Sequence, residues 1–193
     1  MTEELTPYGS IPPTRSDTQM DAVDSTIEFL SAEEHIDRKL IAEFFTTFAR
    51  TEYALKTARF INMVGDQSRG AFAIDWDRFA DEIEAAVNQN DFRSDPYIRY
   101  LMRHPPKKEV LTQHGLEWKP RSRRGQSAVR FLVRSVTTVR NNLFHGGKSL
   151  GSPLLERDRQ LMEGALRALK RFVTLHDVVL AAFRELPIRR RVA

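Results

Sequence analysis

The sequence predicts an all-α fold, a bundle of four or five helices, on three observations. Apolar residues recur at steps of three and four in five separate stretches. Prolines and glycines fall between those stretches rather than within them. No segment shows the clear apolar–polar alternation of a half-buried strand. At 193 residues the chain is long enough for one domain with a real core, and its 41% hydrophobic and 29% charged content is that of a soluble globular protein.

The elements follow in order. Met1 to about Asp21 is polar and broken by Pro7, Pro12 and Pro13, so residues 1–22 read as a disordered tail, followed by a short helix through Ile27 to Leu30. Residues 23–187 then form the helical domain. The first strong helix spans about Asp37 to Ile61, with Ile41, Phe44, Phe45, Phe48 and Leu55 on one face. Glu52 lies in the middle of that stripe, where a carboxylate is either paired with Lys56 one turn on or turned toward a cavity. Gly65 to Ala73 reads as a loop. Asp75 caps a second helix to about Asn88, with Trp76, Phe79, Ile83 and Val87 inward. Asp95-Pro96 opens a shorter helix that stops at Pro105-Pro106, and a further helical turn or two runs through Val110 and Leu111 to His114-Gly115.

Leu116 to Gln126 reads as a basic linker carrying Lys119, Arg121, Arg123 and Arg124, either a solvated loop or a track for a phosphate backbone. Trp118, beside it, suits a core or edge position better than base stacking. A helix from Ser127 follows, with Val129, Leu132, Val136, Val139 and Leu143 as its stripe. Ser152-Pro153 starts a last helix to about Leu186, whose long apolar face includes His176 as a core or interface histidine. Residues 188–193 are a basic tail.

The chain has no cysteine, no apolar run of the ~20 residues that a membrane crossing needs, and no secretory leader pattern at its start; a cytoplasmic protein with no membrane partner is the expectation. A net charge of +4 permits a polyanionic partner without demanding one. No cluster has metal-ligand spacing and no glycine loop cradles a phosphate, so neither a metal nor a cofactor is expected.

Chemistry concentrates in Arg140-Asn141-Asn142-Leu143-Phe144-His145-Gly146-Gly147-Lys148. The glycine pair ends the helix, so His145 falls at or just past its C-terminus, where the helix dipole favours an imidazolium. Asn141 and His145 share a face one turn apart, and Arg140 points to one side. A site here needs the length of Arg140 or a second copy of the segment from a partner chain.

Arg, Asn, three residues and His resembles the signature of the HEPN superfamily, small helical domains of bacterial toxins and RNA-cleaving defence proteins. The resemblance extends over about Leu40 to Leu186, and Thr51 to Lys56 looks like the first-helix pattern of those relatives. It implies a HEPN-like bundle and a metal-independent ribonuclease site formed across a homodimer. By position, that site would use Arg140, His145 and Asn141, with Glu52 oriented toward them. Some members paired with a nucleotidyltransferase antitoxin carry a tyrosine two places after the histidine. This chain has Gly147 there, so regulation through that tyrosine is not expected, although an antitoxin or other regulatory protein remains a candidate partner.

RNA supplies its own nucleophile, the ribose 2′-hydroxyl. His145 then serves proton transfer, Arg140 holds phosphate oxygens through its forked donors, and Lys148 adds a supporting phosphate contact. The alternative is a non-catalytic module of the same kind that binds RNA, nucleotide or a protein partner, since the same groups grip phosphate whether or not they cut. A purely structural helical dimer is the third reading, supported by the apolar faces alone.

Overall fold

Residue 128 opens the helix that carries Arg140 and Asn141 near its end. Ser127 caps it, its hydroxyl accepting from the Arg130 N–H at 3.2 Å. The computed structural model describes residues 38–64, 70–87, 89–144 and 156–185. The expected tail at 1–22, the short helix at Ile27 to Leu30, the basic tail at 188–193, and His145 and Lys148 all lie outside the described residues.

In chain order the elements are α1 (Arg38–Thr57), β1 (Ile61–Met63), β2 (Phe72–Ile74), α2 (Trp76–Glu84), α3 (Gln89–Ser94), α4 (Pro96–Arg103), β3 (Lys108–Thr112), β4 (Gly115–Lys119), α5 (Ala128–Phe144), α6 (Glu156–Thr174) and α7 (Asp177–Arg184). The fold is mostly helical, as expected, but the described residues hold seven helices rather than four or five. Part of the difference lies at the C-terminal end, where one long helix was expected. His176 leaves helical backbone at φ −136°, ψ 107°, and its Nδ1 accepts the Val179 N–H at the start of α7. The apolar face continues across this break, with Val173 and Val179 both buried, so periodicity alone shows no interruption. His176 is half-buried with its ring edge-on to Phe60 at 5.2 Å and its Nε2 3.2 Å from Glu82.

Two antiparallel hairpins correct the expectation of no strands. The first pairs Ile61 with Ile74 and Met63 with Phe72, where a loop was expected from Gly65 to Ala73. The second pairs Lys108 with Lys119 through to Thr112 with Gly115, replacing both the helical turns near Val110 and the first part of the expected linker. Thr112 closes its turn: the hydroxyl accepts from the His114 N–H and donates toward Gly115 O and Glu117 Oε1. Gly115 sits at φ +105°, which a side chain would strain. This hairpin turns apolar Leu111 and Leu116 outward, 80% and 68% exposed, so no inward apolar stripe marks it.

The caps at Asp75 and Asp95 stand as expected. Asp75 accepts the Arg78 N–H at 2.9 Å. Asp95 accepts those of Tyr97 and Ile98, and its second oxygen meets Arg167 of α6 at 3.3 Å. Arg50 of α1 closes the other end of the bundle, donating to the carbonyls of Phe183 (2.8 Å) and Ala182 (3.2 Å) in the last turn of α7.

The core is continuous from Phe44, Phe48 and Leu55 of α1 through Phe79 and Ile83 of α2 to Leu132 and Val136 of α5 and Leu169 and Phe172 of α6. Helix α5 packs against both α2 and α6. On the α2 side Arg134 holds Asp77 with two bonds, Nε to Oδ1 at 2.8 Å and Nη2 to Oδ2 at 2.5 Å, and Arg130 pairs with Asp81. The hydrogen bonds from Arg134 keep the Asp77 carboxyl below its ordinary pKa, against the opposing effect of burial. Among the described residues, no helix is long and apolar enough to cross a membrane.

Helices α4 and α6 approach closely at Gly164. A Cβ added there would stand 2.5 Å from the Tyr97 carbonyl oxygen, a backbone atom that cannot swing aside. Alanine ordinarily favours a helix over glycine by about 1 kcal/mol. Gly164→Ala is nevertheless expected to destabilise by roughly 1–3 kcal/mol, because overpacking outweighs propensity here; a midpoint in urea equal to or above that of the wild type would contradict this packing.

The Asp77 carboxyl titrates lower in the folded chain than in the unfolded chain. Its contribution to stability is therefore complete above the unfolded value of ~3.9 and lost as pH falls through the lower folded value. Asp77→Asn should lower stability at pH 7 and flatten its decline below about pH 4 relative to wild type, as read by urea unfolding across that range.

Candidate functional site

The sides of α5 are covered along nearly its whole length. From Ala128 to Arg140 every residue is buried or half-buried, and Asn141 is the first exposed one. Two hydroxyls are accommodated inside by bonding back one turn, Ser135 to the Phe131 carbonyl at 2.8 Å and Thr138 to that of Arg134 at 2.7 Å. Polar chemistry is thus available at the C-terminal end of this helix and on the strip facing the β3–β4 hairpin.

Arg140 is half-buried. Its guanidinium lies over the Phe48 ring of α1 at 5.5 Å, and its Nη1 donates to the Asn141 side-chain oxygen at 3.1 Å. Stacking occupies the flat face of a guanidinium and leaves its N–H groups in the plane for hydrogen bonding. Glu52 is half-buried one helical turn after Phe48 and makes no hydrogen bond or ion pair among the described residues, so neither the Glu52–Lys56 pairing nor a bond from Glu52 to Arg140 is formed, and His145 lies outside the described residues. The side-chain amide of Asn142 donates to the Lys107 carbonyl at 2.9 Å, which ties the end of α5 to the base of the hairpin.

Between them lies a pocket of about 370 Å³ lined by Lys108, Glu109, Arg121, Thr137, Thr138, Asn141 and Asn142. Of the residues singled out in the sequence, the structure brings Asn141, Asn142 and Arg121 into this pocket. Arg140 joins through Asn141 without lining it.

The four linker cations separate into distinct environments. Arg121 is half-buried against α5, its Nη1 donating to the Arg134 carbonyl at 2.7 Å and to the Thr138 hydroxyl. Burial, and next the charge of Arg134, push its pKa down, with Asp77 acting the other way. Arg123 and Arg124 are exposed in the turn before α5, and Lys119 lies 3.7 Å from Glu117 within its own strand. Trp118 is half-buried, opposite Glu109 across the hairpin.

Lys108, Glu109, Thr137 and Thr138 were not proposed as site residues from the sequence. The two threonines are one step apart just before Arg140, a spacing that could have drawn attention to a polar strip on an otherwise apolar helix. Glu109 carried no such sign, because its place depends on the hairpin.

Comparison of the chain with family models, curated proteins and solved structures gives no match. Function must then be read from the side chains themselves.

Arg121 is expected to behave as a structural cation and its neighbours as surface ones. Arg121→Ala removes a half-buried donor to the Thr138 hydroxyl and to the Arg134 carbonyl, which keeps the bonds from the Thr137 and Thr138 hydroxyls, and should destabilise by about 1–3 kcal/mol. Arg123→Ala and Arg124→Ala should each stay within about 0.5 kcal/mol of wild type. Equal effects at all three positions in denaturant unfolding would contradict this division.

Proposed function

We propose that the chain is a metal-independent endoribonuclease of HEPN type that acts as a homodimer on RNA. The observation that supports this reading is the polar end of α5: Arg140 and Asn141 are joined by a hydrogen bond beside a pocket carrying two cations and two amides. His145 and Lys148 follow directly in the sequence.

The reaction needs little from the protein. A base removes the proton of the ribose 2′-hydroxyl, the freed oxygen attacks phosphorus, and the bond to the 5′-oxygen breaks as an acid protonates it. The products are a 2′,3′-cyclic phosphate and a 5′-hydroxyl. Imidazole fits both proton transfers near neutrality, and two chains supply two copies of His145, one as base and one as acid. Arg140 neutralises charge building on the non-bridging oxygens through its in-plane donors. Asn141 orients the phosphate or the imidazole. Lys119, Arg123 and Arg124 add phosphate contacts that carry affinity without base preference. An antitoxin or regulatory protein that covers this end of the molecule would silence it.

The test is cleavage of a defined RNA in EDTA by wild type, His145→Ala and Arg140→Ala, with end-group analysis and sedimentation. The expected outcome is a dimer that leaves cyclic phosphate or 3′-phosphate ends and spares DNA, with losses of roughly 10²–10⁴-fold in His145→Ala. Dependence on an added divalent ion, 3′-hydroxyl ends, or full activity in His145→Ala would overturn the mechanism. RNA bound without cleavage would instead favour the non-catalytic binding module.

A further inference from the structure

The pocket beside Asn141 has a mixture of unused groups that a phosphate alone would not need. Among the described residues, the Glu109 carboxylate and the Lys108 ammonium make no hydrogen bond or ion pair. The Asn141 oxygen accepts from Arg140, which leaves its amide N–H groups as donors. Asn142 is the reverse: its amide nitrogen donates to the Lys107 carbonyl, which leaves its oxygen as an acceptor. Arg121 uses Nη1 on α5 and keeps further N–H donors on the same guanidinium. Lys108 and Glu109 are consecutive in β3 and leave it on opposite faces, so with Glu109 turned to the pocket the donors are those of Arg121 and Asn141 and the acceptors those of Glu109 and Asn142.

A bare phosphate uses only the donors and is repelled by the carboxylate. A nucleobase uses both kinds. Guanine is the base whose edge presents two N–H donors side by side, N1–H and the N2 amine, spaced for the fork of one carboxylate. Its O6 and N7 form an acceptor pair of the kind that Arg and Lys recognise. Adenine and cytosine bring a single amine beside a ring acceptor, and uracil a single N–H, so each leaves part of the Glu109 carboxylate unanswered. A volume of about 370 Å³ lies within the ordinary range of small-ligand sites.

We propose that this pocket is a guanine subsite, with Glu109 reading the N1–H and N2 amine and Arg121 and Asn141 facing O6 and N7. The pocket's part in RNA recognition rests on the ribonuclease reading above, where it would set a guanine next to the bond that is cut. The base recognition itself does not need cleavage and is tested without it.

Equilibrium binding of GMP, AMP, CMP, UMP and inorganic phosphate to the full chain is the experiment, repeated with Glu109→Gln. Wild type should prefer GMP over the other three nucleotides by about tenfold or more, with phosphate a weak competitor. Glu109→Gln replaces one acceptor oxygen by a donor and should bring GMP down to the level of AMP while AMP stays unchanged. Glu109 is half-exposed on the hairpin, and an unaltered thermal midpoint would show that the variant folds. A short single-stranded RNA with one guanine, compared with the same strand carrying adenine there, separates a base within RNA from a free nucleotide. Preference for the guanine strand over GMP marks the former, and GMP binding at least as well marks the latter; either supports the subsite. Equal affinity for all four nucleotides, phosphate competing as well as GMP, or an unchanged GMP preference in Glu109→Gln would overturn it. If GMP selectivity holds and no RNA is cut, the ribonuclease reading fails while the guanine subsite stands.

Discussion

A helix enclosed on its sides can offer chemistry only at an end or along a strip that a neighbour leaves open. Helix α5 is in that position. Phe131, Leu132, Val133, Val136 and Val139 are all buried, and α2 and α6 both pack against the helix. Burying side chains of this size contributes roughly 1.5–3 kcal/mol each, so the helix is fixed in rotation and height. That fixes where residue 141 emerges. A change of one position along the helix would turn its side chain by about 100° and carry it away from the hairpin.

The charges around α5 are divided by the same constraint. Toward α2, Asp77 and Asp81 take up Arg134 and Arg130, so that flank is close to neutral. Toward the hairpin, Arg121 is held by neutral oxygens, the Arg134 carbonyl and the Thr138 hydroxyl. Its charge is moderated only at a distance by Asp77 and is opposed by Arg134. On the side where the pocket lies, the Arg121 guanidinium is therefore not bonded to any carboxylate. A desolvated guanidinium beside amides and hydroxyls makes a directional donor set, unlike the diffuse attraction of the exposed Arg123 and Arg124.

Much of the helical framework was legible because its signals are local. Asp75, Asp95 and Ser127 cap the helices that their spacing predicts, and the stripe from Val129 to Val139 is buried throughout. The second hairpin was hidden because its most exposed residues include two leucines, which inverts the usual sign of alternation. The first has strands of three residues, too short for any period to register. The break at His176 was hidden because α6 and α7 continue one apolar face. At the site, Asn141 stood out by its company in the motif. Glu109 and the structural role of Arg121 depended on contacts between segments far apart in the chain, which no local pattern records.

Asn142 grips the hairpin through the main-chain oxygen of residue 107 and makes no demand on the side chain there. Any amino acid at that position presents the same carbonyl, so the junction tolerates drift at 107 while requiring an amide donor at 142. Evolutionary constraint on this corner of the molecule should accordingly be one-sided: position 142 restricted, position 107 free to follow the charge needs of whatever surface the protein meets.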